Sequence, residues 1–161
     1  MMGPDRDRLR GAARPRAARK GEEMAAPARW RMTRVTSPHV PEPQPGTWSN
    51  CRLVDGVAYV AGMIATDKDG NVVGEGEYEQ ARVIFAKIKH LVEAAGGTMA
   101  DVAKVTIFVT DIRQREQVWK ARREVFSGDF PASTLVQVAA LATPAVKVEI
   151  EAVAYIGAGP R

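Results

Sequence analysis

The stretch Lys147-Val148-Glu149-Ile150-Glu151-Ala152 alternates acidic and apolar residues. In an extended strand successive side chains leave opposite faces, so Glu149 and Glu151 share one face and Val148, Ile150 and Ala152 the other. Two neighbouring carboxylates have two readings, a solvated strand face or an acid/base pair. The apolar opposite side argues for a central strand, where partial burial would desolvate a carboxylate and poise it to orient a water. Ser133 and Thr134, directly after Phe130-Pro131-Ala132, offer hydroxyls to a ligand. Neither has the surroundings of a nucleophile: the histidines are His39, among prolines, and His90, in a helical pattern, and no Gly-x-Ser-x-Gly elbow occurs. Trp48 and Cys51 read as core residues, with an apolar pocket wall as the alternative for Trp48.

Other chemistries are poorly provided for. One cysteine makes no internal disulfide and no thiolate metal cage. Asp67-Lys68-Asp69-Gly70-Asn71 resembles a calcium loop, but its glycine stands fourth instead of sixth and the closing glutamate is missing, so a turn is expected and no metal. Gly74-Glu75-Gly76 lacks the third glycine of a dinucleotide loop.

These residues need a scaffold, and the pattern supplies one. Short β-rich runs flank Asp55-Gly56 and predict a hairpin, followed by a further extended piece over 62–66. Over 77–95, Ala81, Ile84, Phe85, Ile88, Leu91 and Val92 recur at helical spacing, while Glu79, Arg82, Lys87, Lys89 and Glu93 take the other face. Gly96-Gly97 ends that helix, Thr98 and Asp101 form a capping box, and 102–110 reads as a strand. A second helix over 114–126 and strands over 133–139 and 146–156 complete the order. The result is an α+β two-layer sandwich, two helices on one face of a mixed sheet. Val136, Val138, Val148, Ile150 and Val153 leave more apolar surface than two helices cover, which predicts self-association.

The 161 residues, 45% apolar and 26% charged, suit one globular domain. Residues 1–36 hold ten Lys/Arg against four Asp/Glu and little apolar periodicity, so they are expected to be a disordered basic tail, with 37–161 as the single folded domain. The folded part is slightly acidic and the basic tail nearly lacks aromatic stacking partners, which disfavours nucleic acid as a partner. No apolar run is long enough to cross a bilayer and no signal-like segment opens the chain, so a cytoplasmic protein with no membrane partner is expected.

From about Gly46 to Tyr155 the chain resembles the RidA/YjgF (Rid, reactive intermediate deaminase) family. Gly46-Thr47-Trp48-Ser49 is similar to that family's Gly-x-Tyr-Ser, and Tyr59-Val60-Ala61-Gly62-Met63-Ile64 to its Tyr-x-Ser-Gly-Gln-Ile strand. Residues 94–98 with Asp101-Val102, and the strand 105–111, match in turn. So do Phe130-Pro131-Ala132-Ser133-Thr134-Leu135-Val136-Gln137-Val138 and Val148-Glu149-Ile150-Glu151-Ala152, its closing signature.

The resemblance implies a chorismate-mutase-like fold and a homotrimer with ligand clefts between subunits. It further implies hydrolysis of reactive imines or enamines to carbonyl compounds and ammonia without a cofactor. Glu149 would hold the attacking water, Trp48 would replace a tyrosine wall, and Gly62 and Leu135 would offer backbone contacts. One position departs: deaminating members have an arginine right after the Pro-Ala of the closing signature, and here Ser133 stands there. Losing a bidentate guanidinium–carboxylate contact costs on the order of 2 to 5 kcal/mol. The resemblance therefore implies that the recognised group is not a carboxylate or is held differently, with Ser133 and Thr134 contacting the ligand by hydroxyl. A trimeric small-molecule binding or regulatory module that keeps the cleft without the chemistry is the alternative.

Overall fold

The computed structural model describes residues 31–160. The tail expectation for residues 1–30 lies outside them, but its last part is corrected: Met32–Val35 is a strand, β1, paired antiparallel with Cys51–Val54, β2. The folded domain therefore starts ahead of Ser37. The proline-rich stretch between β1 and β2 hid the short strand, because β1 gains its register only from β2.

Asp55 and Gly56, both with positive φ, turn β2 into β3 (Val57–Ile64). This is the primed hairpin that an Asp-Gly pair favours. Then come α1 (Glu77–Ala94), β4 (Val102–Val109), α2 (Arg115–Val125), β5 (Ala132–Gln137) and β6 (Val148–Tyr155). The sheet runs β1-β2-β3-β6-β4-β5, with β4 and β5 parallel and every other pair antiparallel. β6 is thus central, as the alternation at 147–152 required.

Helix α1 begins where the Glu79 carboxylate accepts from the Gly76 amide and ends at Gly96, whose φ of +91° is the left-handed conformation glycine tolerates best. Its stripe of Ala81, Ile84, Phe85, Ile88, Leu91 and Val92 packs on β3 and β6, and Phe85 meets Phe126 edge-on at 5.8 Å. Val118 and Ala121 of α2 extend the same layer. Beneath it lie Cys51, Val105, Ile107, Val109, Val148 and Ile150, all fully buried. Each large aliphatic side chain buried so contributes roughly 1.5–3 kcal/mol.

Val148 and Ile150 therefore belong to the covered face and are no part of the surplus read from the sequence. The open face carries Tyr59, Phe108, Val136, Val153 and Tyr155 instead, aligned by the strand register, with Tyr59, Val136 and Tyr155 exposed. Lys87, read from the sequence as a solvated position, is buried at 8% exposure. It sits three residues after Ile84 and four before Leu91, on the margin of the apolar stripe.

Candidate functional site

Strand β3 breaks register against β6 between Val60 and Met63, and Gly62 falls in the break. The Glu149 carboxylate lies directly over it: a Cβ on Gly62 would stand 2.0 Å from Oε1 and 2.9 Å from Cδ of Glu149. Glycine is the residue that lets the acid lie against the strand. Register places Ile64, Glu149, Phe108 and Val136 in one row across β3, β6, β4 and β5. The carboxylate is flanked by two apolar side chains, and among the described residues it has no hydrogen-bond or ion-pair partner. Burial first, and the nearby Glu151 charge second, push its pKa above the ordinary value of 4.5. Glu151 shares its face two residues on, is exposed, and pairs in register with Thr106.

Beside Gly62 the open edge of β3 faces the segment between β1 and β2 across a cavity of about 230 Å³. Trp48, Asn50, Pro41, Glu42, Ile64 and Lys87 are among its walls. Trp48 is 59% exposed, so within one chain it is a wall and no core residue. Its indole N–H donates to Oδ1 of Asn50 at 3.3 Å, and Asn50 in turn donates to the Pro41 carbonyl at 2.9 Å. The Glu42 carboxylate is held by Arg34 and by Asn50. Cys51 is the core residue expected, and burial pushes its thiol up to about 11, which removes it as a nucleophile.

Trp48, Gly62 and Glu149 thus gather at one end of β3. Ser133, Thr134 and Leu135 lie on β5, the far edge strand, with β6 and β4 intervening. Thr134 shares the open face with Thr106 and accepts from Lys104 Nζ at 2.5 Å. Ser133 and Leu135 align with the buried Val105 and Ile107 and so point to the helix side. A single chain does not bring these three to Glu149. Sequence reasoning missed Asn50, which had no signal beyond its place after Ser49, and Lys87, whose spacing from Ile84 and Leu91 was the available one. The Asp67 loop closes as a turn, its Oδ1 accepting from the Asp69 and Asn71 amides at 2.9 Å.

The sheet order and the glycine-seated glutamate define a class of protein with known relatives. Residues 41–156 match the family model described as Endoribonuclease L-PSP. A crystal structure of a protein of unknown function from Pseudomonas aeruginosa is 34% identical, covering 80% of this chain and 95% of that one with a TM-score of 0.72. A protein of the conserved Rid family from Yersinia pestis is 30% identical over 78% and 100% of the two chains, TM-score 0.73. RidA from an Antarctic Psychrobacter is 32% identical over 77% and 99%, TM-score 0.70. The chain belongs to the YjgF/Rid family, whose α+β fold it has. No helix among the described residues is long and apolar enough to cross a membrane.

Proposed function

We propose that this protein hydrolyses a reactive imine or enamine to a carbonyl compound and ammonia, working as a homotrimer. The observation that carries the reading is the Glu149 carboxylate, unpartnered, partly desolvated and seated on Gly62 beside the cavity walled by Trp48. For an imine the balance is one C=N–H group plus one water giving one C=O group plus one ammonia. Glu149 takes a proton from the water as its oxygen bonds to the imine carbon. It returns that proton to nitrogen to give a carbinolamine, then carries the proton of the new hydroxyl to the amine, and the C–N bond breaks as C=O forms and ammonia leaves. A carboxylate whose pKa is raised toward the working pH performs both transfers better than an ordinary one. Backbone at Gly62 and the Trp48 ring orient the C=N group, so part of the acceleration is positional.

Trimerisation supplies what one chain separates. In this reading the open face with Tyr59, Val136 and Tyr155, exposed in the single chain, is what copies bury, and the edge strand β5 of one copy, with Ser133, Thr134 and Leu135, borders the Glu149 cleft of another. The Thr134 hydroxyl then contacts the ligand from the open face, and Ser133, exposed on the edge strand, from the helix side of β5. The second reading, a trimeric binding or regulatory module without catalysis, draws on Ser133, which offers no charge from β5.

Ammonia release from freshly generated imines, neutral and carboxylated, distinguishes the two. Turnover of any imine above the buffer rate is the result expected. Ligand binding with no imine turned over would leave the non-catalytic module.

A further inference from the structure

Lys87 of α1 is buried at 8% exposure, and no carboxylate contacts it among the described residues. Its Nζ donates to the Ile64 carbonyl at 3.0 Å and to Thr66 Oγ1 at 2.8 Å. An ammonium has a third proton to place, whereas an uncharged amine has two protons and a lone pair. These two acceptors therefore satisfy the uncharged amine completely and the ammonium only in part. Burial acts in the same sense and pulls the Lys87 pKa below its ordinary value of 10.5, with the charge of Asp67 opposing it through space. An uncharged amine with a free lone pair is the form of lysine that attacks carbonyl carbon.

Space for such a carbonyl exists on the helix side of the sheet. Lys87 lines a cavity of about 440 Å³, within the range of small-molecule sites. Val83, Ala86 and His90 of α1 form one wall, and the segment between β1 and β2 with the turn after β3 forms the other. Copies that meet through the open face of the sheet leave this cavity accessible. The fixed charges at its wall, Asp67 and Lys68, are of opposite sign, and Asp67 is already held by its own turn and by the Asn71 side chain. The other polar groups include the imidazoles of His39 and His90, stacked at 4.4 Å. Prolines and the side chains of Val83 and Ala86 make the rest apolar. Balanced charge and apolar walls suit an uncharged occupant with a short hydrocarbon body.

We propose that Lys87 is a nucleophilic lysine that captures a small uncharged aldehyde in this cavity as a Schiff base. The nitrogen lone pair bonds to the aldehyde carbon, the C=O pair moves to oxygen, and a proton passes from nitrogen to that oxygen to give a carbinolamine. The nitrogen pair then forms C=N as the hydroxyl leaves with the second nitrogen proton as water. One amine and one aldehyde thus give one imine and one water. His39 and His90, on the wall of the same cavity, are the bases that relay these protons. The imine nitrogen then accepts from the Thr66 hydroxyl, a group that donates as readily as it accepts.

Neither Glu149 nor imine turnover enters the test. The full-length protein is treated near pH 7 with limiting butyraldehyde and cyanoborohydride, which reduces the imine to a stable secondary amine, and peptide mass spectrometry locates the labelled lysines. Lys87 is expected to be labelled at least tenfold faster than Lys89, whose side chain is 51% exposed. Labelling of Lys87 no faster than Lys89 overturns the proposal. Ala86→Trp, at an exposed position of α1 that lines this cavity but not the one beside Gly62, fills the space without touching either acceptor of Lys87. It should slow Lys87 labelling tenfold or more, and an unchanged rate in the folded variant overturns the cavity as the place of capture. Should Ala86→Trp not fold, the wild-type comparison of Lys87 with Lys89 decides.

Discussion

Substituting Gly62 by alanine separates the fold from the chemistry more cleanly than any other single change. The added methyl would stand 2.0 Å from Glu149 Oε1, so the oxygen must retreat about 1.4 Å to reach the 3.4 Å of ordinary contact. The φ of Gly62 lies outside the left-handed range, so alanine brings no backbone strain there. The clashing atoms belong to the far end of a flexible side chain, which swings away at small cost to stability. Catalysis has no such latitude, because displacing a reacting group by about 1 Å costs on the order of 10²-fold. The assay is ammonia release from the best imine of the panel, with thermal unfolding measured on the same samples. Expected is a kcat/KM lowered about 100-fold with Tm within a few degrees of wild type. A folded Gly62→Ala enzyme within about twofold of wild type would refute the claim that Glu149 must lie where glycine lets it.

Further outcomes test other parts of the account. Because the Glu149 pKa is raised in the folded state, the native protein holds that proton more tightly than the unfolded chain, and wild-type stability declines as pH rises from about 4.5 through the raised value. Glu149→Gln should therefore match wild type in Tm near pH 4 and exceed it at neutral pH, and equal Tm values at both would contradict the desolvation. Ser133→Ala, which removes one neutral hydroxyl contact, should raise KM about five- to tenfold with kcat unchanged, as steady-state kinetics will show. Ile150→Ala empties a fully buried site under α1 and should cost about 2–5 kcal/mol in urea unfolding. Light scattering should give about 52 kDa, three chains of 17.5 kDa each, and Val136→Asp on the open face should shift it toward monomer.

Much of the frame could be read from local pattern. The Asp55-Gly56 hairpin, the α1 stripe, the Thr98/Asp101 cap and the alternation at Glu149 each state their structure within a few residues, and each formed where the spacing put it. What escaped depends on partners distant in sequence. β1 exists through pairing with residues about twenty positions later, so its four residues resembled tail. Val148 and Ile150 could be placed under the helices only once β6 was known to be central. Lys87 broke the rule that charge marks a solvated face, because the carbonyl and hydroxyl that satisfy it come from β3 and the turn after it. The site was legible by half. Glu149 and Gly62 meet across adjacent strands, whereas Ser133, Thr134 and Leu135 lie on the far edge strand, apart from them in a single chain, and their place in the sheet order is nothing a local pattern displays.

The central claim is that Glu149 moves the proton that lets water add across C=N. The most direct measurement is kcat for the same imine on wild type and Glu149→Gln, with product-analogue binding shown to be equal by calorimetry. The account expects the glutamine enzyme to bind normally and to turn over 10²- to 10⁴-fold more slowly. Equal kcat values at equal binding would contradict it.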